Sequence, residues 1–181
     1  MRIYLIGFMG SGKTVLGQKL AQHINYDFVD LDQVLELQYK ISVQDIFVRY
    51  GEDVFRKMEQ KVLHESITLE STVISTGGGT PCFFDNMDFI NSNGISVFLD
   101  LPVEVLEKRL KKSRKPRPLL ENLHAGELTS KLETLYKYRL PFYRRAKVVI
   151  SVDILDVDQM VLEVVLRLRK LGILSPNSTN F

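Results

Sequence analysis

The residues with the clearest chemistry are the eight from Gly7 to Thr14, which read G-x-x-x-x-G-K-T. This pattern is typical of a phosphate-binding loop, because glycines let successive backbone N–H groups turn inward around a polyphosphate. Lys13 can reach the β- and γ-phosphates of a bound nucleotide, and the hydroxyl of Thr14 can ligate Mg²⁺. The loop therefore predicts a nucleotide site that includes a metal ion.

The flanking sequence places this loop between a strand and a helix. Residues 3–6 are apolar and largely β-favouring, as in a buried strand. After the loop, Leu16, Leu20 and Ile24 recur at helical spacing with polar residues between them. A strand-to-helix turn is the context in which this motif binds phosphate, since the helix adds the positive end of its dipole.

The rest of the chain continues the alternation. Amphipathic helices separate five predicted strands, at residues 3–6, 27–30, 72–76, 95–100 and 148–152. This order predicts an α/β fold in three layers, with a five-stranded parallel sheet between helices. Ligands then collect at the carboxyl ends of the strands, where the loop, Asp30, the three glycines 77–79 and Asp100 should meet.

Composition is that of an ordinary globular domain. The chain has 181 residues, 45% hydrophobic and 25% charged, with a formal net charge of +2, so nothing in it indicates a nucleic-acid partner. The four apolar residues before Gly7 are too few for a signal peptide, and no run is long enough for a membrane span. One cysteine, Cys82, cannot form an internal disulfide, which fits a reducing compartment. We expect a cytoplasmic domain over residues 1–175 and a flexible tail at 176–181.

Two helix boundaries can also be predicted. The longest helix should run from Glu52 to about Glu70 after a break at Gly51, with Ile67 in its apolar stripe. A later helix can begin with Pro102 in its first position, which tolerates proline. The basic, proline-containing run at residues 111–118 cannot be a helix interior, so we predict a mobile loop there.

Three aspartates are candidates for metal or substrate chemistry. Asp30 and Asp100 each end a predicted strand. We favour Asp30 for Mg²⁺, directly or through water, because its strand is expected to neighbour the strand before the phosphate-binding loop. Asp100 precedes a proline-initiated helix, so a capping role is the stronger interpretation there. Asp32 fits a helix cap and a functional group equally well.

Arginines are the candidate anion-binding groups. Arg56 follows Glu52 by four residues, so a weak surface ion pair is an alternative to ligand binding. Arg139 lies among apolar and aromatic residues and needs an anionic partner from the protein or from a substrate. Arg117, in the basic run, would suit a lid that closes over phosphates, although such runs are commonly just solvated.

Six segments together closely resemble the shikimate kinases, which belong to the nucleoside-monophosphate-kinase-like P-loop enzymes. In chain order between residues 7 and 146 they are GFMGSGKT, FVDLD, GEDVFRKME, STGGG, KPRPLL and YRLPFYRRA. The resemblance implies a P-loop kinase fold with a substrate-binding helical region at about 31–62 and a lid at about 111–124. It also implies transfer of the γ-phosphoryl group of ATP to the 3-hydroxyl of shikimate, with Mg²⁺ as cofactor.

The resemblance assigns roles to individual residues. The implied nucleotide-binding set is Gly10, Ser11, Gly12, Lys13, Thr14, Val15, Arg109 and Arg117. The implied shikimate-binding set is Asp32, Arg56, Glu59, Gly78, Gly79 and Arg139. Lys13, Asp32 and Arg117 are the implied catalytic residues, and the metal ligands are Thr14 and Asp30. In this scheme the two arginines at 56 and 139 clamp the carboxylate, and Glu59 orients the first of them.

The sequence departs from the family pattern at one place. The loop at 153–156 carries no Arg or Lys, although many shikimate kinases have a basic residue there near the adenine. Two alternatives stay open: a gluconate kinase of the same group, and a nucleotide-dependent switch without catalysis. We expect a monomer whose partners are ATP and a small molecule, with no membrane or nucleic acid.

Overall fold

The structure is a computed structural model that describes residues 1–113, 127–151 and 156–174. Five strands form one sheet: β1 Arg2–Ile6, β2 Asp27–Asp30, β3 Thr72–Ser75, β4 Ile95–Asp100 and β5 Val148–Ser151. Neighbouring strands pair in parallel, in the order β2-β3-β1-β4-β5. The predicted α/β fold with a five-stranded parallel sheet is confirmed.

Helices surround this sheet. Within the described residues they are α1 Lys13–Ile24, α2 Leu31–Tyr39, α3 Val43–Glu65, α4 Asn86–Asn93, α5 Val103–Lys112, α6 Glu127–Tyr143 and α7 Val157–Lys170. Short 3₁₀ helices cover Ser66–Thr68 and Thr80–Cys82. None of the helices in these ranges is both long enough and apolar enough to cross a membrane.

The core lies on both faces of the central strands. Ile3, Tyr4, Leu5 and Ile6 of β1 are fully buried, and residues 97–99 of β4 are nearly so. A continuous apolar run is the expected pattern for a parallel strand that helices cover on both sides. The carboxyl ends of β1, β3 and β4 are therefore held in the core, which fixes the positions at which the following loops begin.

The strand order corrects one expectation. We expected β2 to neighbour β1, but β3 lies between them. Asp30 at the end of β2 nevertheless reaches the start of α1, because this helix packs closely on β2. A side chain at Gly17 in α1 would clash with the ring of Phe28 in β2. Close helix–strand packing thus brings together groups that the sheet order separates.

Two helix predictions were wrong in their boundaries. The long helix ends at Glu65 rather than near Glu70, because the Ser66 hydroxyl donates to the Leu63 carbonyl (2.6 Å) and the chain tightens into a 3₁₀ turn. Ile67 is consequently 48% exposed rather than part of the buried stripe. Pro102 precedes α5 as its N-cap instead of occupying the first helical position, since its ψ of 143° is extended.

Candidate active site

The phosphate-binding loop has a backbone path that requires glycine. Gly7, Gly10 and Gly12 have φ angles of 143°, 81° and 96°, which side chains of L-residues rarely allow. A Cβ at Gly7 would also lie 2.9 Å from the carbonyl oxygen of Leu99, which is backbone and cannot move aside easily. The glycine spacing of the motif is thus dictated by the loop's geometry.

Lys13 begins α1 and folds over this loop. Its Nζ donates to the carbonyl oxygens of Gly7 (2.9 Å) and Phe8 (3.0 Å), and the residue is 8% exposed. A buried ammonium group at a helix N-terminus concentrates positive potential where backbone N–H groups lack intrahelical partners. This arrangement suits a polyanion.

Asp30 links the phosphate-binding loop to the start of α2. One of its carboxylate oxygens accepts from the Thr14 hydroxyl (2.8 Å), and the other accepts from the backbone N–H of Asp32 (3.1 Å). Asp30 is therefore the cap of α2, and Asp32 occupies the first turn of the helix. Because the Thr14 hydroxyl donates to Asp30, its lone pairs remain available to a metal ion.

The described residues contain no group of three or more His, Cys, Asp or Glu side chains that could hold a metal by themselves. A Mg²⁺ ion bound here would take its remaining ligands from phosphates and water, which is the common arrangement for this ion. Thr14 and Asp30 fit that arrangement, since both present oxygen.

A cavity of about 280 Å³ lies above the loop. Its wall is made of residues from several elements: Met9, Gly10, Gly12, Lys13, Thr14, Val15, Asp30, Asp32, Ser75, Thr76, Gly78, Arg109, Leu110 and Ser113. A larger, more open groove of about 590 Å³ lies beside the α2–α3 turn, and none of the candidate residues lines it. The smaller cavity is the candidate site because it holds the charged groups and the phosphate-binding backbone.

Of the three glycines at 77–79, Gly78 lines this cavity, and Gly78 and Gly79 lie beside two arginines that do not line it. A Cβ at Gly78 would lie 3.0 Å from the backbone nitrogen of Met9 and 3.6 Å from Nη1 of Arg139. At Gly79 a Cβ would lie 2.6 Å from Nη1 of Arg56. Because glycine has no Cβ, Gly78 can lie close to the phosphate-binding backbone and to Arg139, and Gly79 can lie close to Arg56.

Arg139 on α6 is buried without a countercharge. The residue is 2% exposed, and its Nη1 has no hydrogen-bond partner in the described part of the chain. No ion pair joins it to a carboxylate among residues 1–113, 127–151 and 156–174. A buried, incompletely paired guanidinium is costly in a protein interior, so it marks an anion-binding position.

Arg56 on α3 is held differently. It donates to Glu52 and to Glu59, at 2.7 Å and 2.8 Å for the shortest contacts. The pair with Glu52 that the sequence suggested as an alternative is present, but Arg56 is only 4% exposed, so the pair does not lie at the surface. Burial alone would lower the pKa of Arg56, whereas Glu59 and Glu52 together raise it above its ordinary value.

The sequence did not predict the roles of two residues at the candidate site. Tyr143 is fully buried on Phe98, and its hydroxyl donates to the Gly78 carbonyl and lies beside Arg139. Its burial raises the pKa of the phenol, so the hydroxyl stays a donor. Thr80 donates to Glu59 (2.6 Å) and so holds the carboxylate that Arg56 contacts. The spacing of four residues between 139 and 143 on one helix was the available signal for the tyrosine.

Other predicted residues lie as follows. Asp100 does not cap α5, because its carboxylate accepts from the hydroxyl of Tyr136. Nη1 of Arg109 donates to the Ser11 carbonyl at 3.1 Å, which places this arginine at the rim of the cavity. Cys82 is 5% exposed, and burial raises the pKa of its thiol to about 12, which agrees with a neutral space-filling role.

Three predictions fall outside the described residues. They concern Arg117, most of the proposed lid at 111–124, and the loop at 153–155. The tail at 176–181 also lies outside them.

Comparison with known proteins extends well beyond the phosphate-binding loop. A family model described as shikimate kinase matches residues 9–169. The shikimate kinase of Phocaeicola vulgatus is 44% identical over 169 residues, which cover 93% of this chain and 97% of that protein. Among solved structures, the shikimate kinase of Bacteroides thetaiotaomicron is 40% identical, with a TM-score of 0.86 over 96% of this chain and 99% of that chain. The shikimate kinase of Acinetobacter baumannii in complex with shikimate is 34% identical, with a TM-score of 0.87 over 96% and 95% of the two chains.

Proposed function

Because the chain belongs to the shikimate kinase family, we propose that its activity, phosphorylation of shikimate by ATP, is carried out by the groups that line the 280 Å³ cavity together with Arg56 and Arg139, which lie beside glycines 78 and 79. The reaction moves the γ-phosphoryl group to the 3-hydroxyl of shikimate and yields shikimate 3-phosphate and ADP. One observation carries the residue assignment. A Cβ at Gly78 would meet both the backbone of the phosphate-binding loop and Nη1 of Arg139, so the phosphate-binding backbone and an anion-binding arginine lie on either side of this one residue.

Shikimate is a small carboxylated triol, and the site offers a partner for each kind of group. Arg139 and Arg56 bind the carboxylate, since a guanidinium forms strong charge-assisted hydrogen bonds with it. Asp32 lines the cavity on the side of the phosphates and accepts hydrogen bonds from the ring hydroxyls. The backbone N–H groups of Gly78 and Gly79 complete the substrate contacts.

Phosphoryl transfer depends mainly on position and on neutralising charge. Lys13 and the N-terminal backbone of α1 stabilise the transferring group, and Asp32 takes the proton from the attacking hydroxyl. Arg109 lies at the rim, where it contacts the nucleotide. Arg117 adds a further cation from the lid, whose closure would keep water from hydrolysing ATP.

Mg²⁺ is the proposed cofactor. Thr14 and Asp30 would hold it, the carboxylate either directly or through water, since both side chains present oxygen at the start of α1. When bound, Mg²⁺ would supply positive charge that offsets the charge of the phosphates. We also propose that the enzyme is cytoplasmic and that it is a monomer. Sedimentation of the purified protein tests the monomeric state.

A coupled assay of ADP release tests the proposal directly. Shikimate, quinate, gluconate and a nucleoside monophosphate are compared as acceptors at equal concentration. Turnover with shikimate alone is the expected result. Turnover with gluconate would indicate the rival kinase, and ATP binding without turnover on any acceptor would indicate a nucleotide-dependent switch.

Arg139→Ala is expected to lower kcat/KM for shikimate by about 10²–10³-fold, because it removes charged hydrogen bonds worth about 1.5–3 kcal/mol each. The KM for ATP should stay within about twofold, since no phosphate contact is lost. Arg145→Ala is the matched control, because that arginine pairs with Asp88 at the surface. Unchanged shikimate kinetics in the Arg139 variant would remove this residue from the site.

Tyr143→Phe is expected to raise the KM for shikimate by about 5–20-fold, because the Gly78 carbonyl loses its donor and the wall can shift. Tyr143 is a positioning residue, so the KM for shikimate should change more than kcat or the KM for ATP. Tyr136→Phe is the control, since it deletes a hydroxyl of the same helix that donates to Asp100 instead. An equal effect of both variants on shikimate would contradict the assignment.

A further inference from the structure

Arg56 has little surface left for a substrate. Its Nε and Nη2 donate to Oε1 of Glu52 at 3.1 Å and 2.7 Å, and its Nη1 donates to Oε2 of Glu59 at 2.8 Å. The ring centroid of Phe83 lies 4.1 Å from its Cζ, and Gly79 closes another side. With 4% of the residue exposed, a carboxylate can bind here only by replacing a group that is already present.

The two glutamates differ in how easily they can leave. Glu59 is 4% exposed and its second oxygen accepts from Thr80, so moving it would strand a buried charge and a buried hydroxyl. The side chain of Glu52 is 41% exposed, and its contacts in the described residues are those with Arg56. A carboxylate that can turn into water gives up an ion pair at small cost.

The backbone around Glu52 also permits movement. Gly51 interrupts α3 with φ 80° and ψ 174°, so Glu52 begins the second segment of the helix rather than lying in its middle. Apart from its chain neighbours and the nearby backbone of α3, no described atom lies within 4 Å of the position that a Cβ on Gly51 would take. The side chain of Glu52, which follows this open position and is itself 41% exposed, can therefore turn toward solvent and away from Arg56.

We infer that Glu52 is a specificity-determining residue that competes with the substrate carboxylate for Arg56 and leaves the guanidinium when shikimate binds. This inference rests on the proposed role of Arg56. Its partner in the clamp, Arg139, has an unpaired Nη1 and needs no such exchange. The clamp thus has one arginine with an unpaired donor, Nη1 of Arg139, and one whose donors are paired with glutamates of the protein itself.

The competition gives selectivity among anions. A tethered carboxylate acts at an effective concentration in the millimolar range or above, so a free monocarboxylate cannot displace it efficiently. Shikimate brings additional hydroxyl contacts, including those proposed for Asp32, and these supply the free energy for the exchange. Competition by Glu52 therefore weakens the binding of simple carboxylates that would otherwise bind the arginines.

Isothermal titration calorimetry of the full chain tests the inference, with shikimate, its methyl ester and acetate as ligands. Glu52→Gln keeps the shape of the side chain and removes the competing charge. We expect its Kd for shikimate to fall by about 2–5-fold, the equivalent of a partly exposed ion pair, and acetate to bind measurably more tightly. The Kd of the ester should not change, because it offers no carboxylate to Arg56.

Glu59→Gln is the matched control, and it should weaken shikimate binding because it disturbs the buried partner of Arg56. Weaker or unchanged shikimate binding by Glu52→Gln would overturn the inference, as would equal tightening for the ester. Glu52→Ala, checked for its melting temperature, should change affinity in the same direction. If Arg56→Lys binds shikimate like the unaltered chain, the proposed role of Arg56 fails instead, whatever Glu52 does.

Discussion

Lys13→Ala is expected to lower the rate of shikimate phosphorylation by about 10³-fold or more. The substitution removes an ammonium group that folds over the phosphate-binding loop, where charge develops during phosphoryl transfer. Its contacts with the Gly7 and Phe8 carbonyls show that it already lies at the loop rather than in solvent. Steady-state ADP release at saturating shikimate measures the loss.

A control separates this effect from a loss of folding. Lys19→Ala changes a lysine of the same helix whose side chain is 46% exposed and pairs with Asp158 at 2.6 Å. Its activity should remain within about twofold, since exposed ion pairs contribute little. Far-ultraviolet circular dichroism should show the same helix content for both variants. Near-normal turnover by the Lys13 variant would contradict the role proposed for the loop.

Asp32→Asn is expected to lower kcat by about 10²–10⁴-fold, the usual contribution of a general base. Asparagine has nearly the same shape, so it should fill the same place beside Gly77 without accepting a proton. The KM for ATP should change little, because the proposed nucleotide contacts of Lys13 and Thr14 are untouched. Rapid-quench measurement of a single turnover reports the chemical step itself.

The control for this variant is Asp27→Asn at the opposite end of β2, where the side chain is exposed. It should have the activity of the unaltered chain. A wild-type single-turnover rate for Asp32→Asn would exclude this residue as proton acceptor and as hydroxyl anchor.

Local patterns were enough to predict much of the fold. The glycine spacing around Lys13 and the break in α3 at Gly51 each depend on neighbouring residues in the sequence. The order of the strands in the sheet cannot be predicted from neighbouring residues, because it depends on which apolar faces pack together. That is why β3 was not expected between β1 and β2, although the contact of Asp30 with Thr14 survives through the packing of α1.

The candidate site likewise has some features that local sequence predicts and others that depend on packing. Arg139 could be singled out because a charge among apolar positions is visible in the sequence. The burial of Arg56 could not be predicted in this way. The four-residue spacing indicates an ion pair with Glu52, but it does not show that the arginine of this pair is buried. Tyr143 contacts the carbonyl of a residue 65 positions away, and no local pattern carries that information.

The position of β1 has a consequence for how the protein is made. β1 lies in the middle of the sheet, yet both of its neighbours follow it much later in the chain and begin at Thr72 and Ile95. During synthesis, one edge of residues 2–6 must therefore stay without a partner strand until β4 has been made, which is the slow, non-local kind of assembly. Both edges of β1 can be paired only once the chain through Asp100 has emerged.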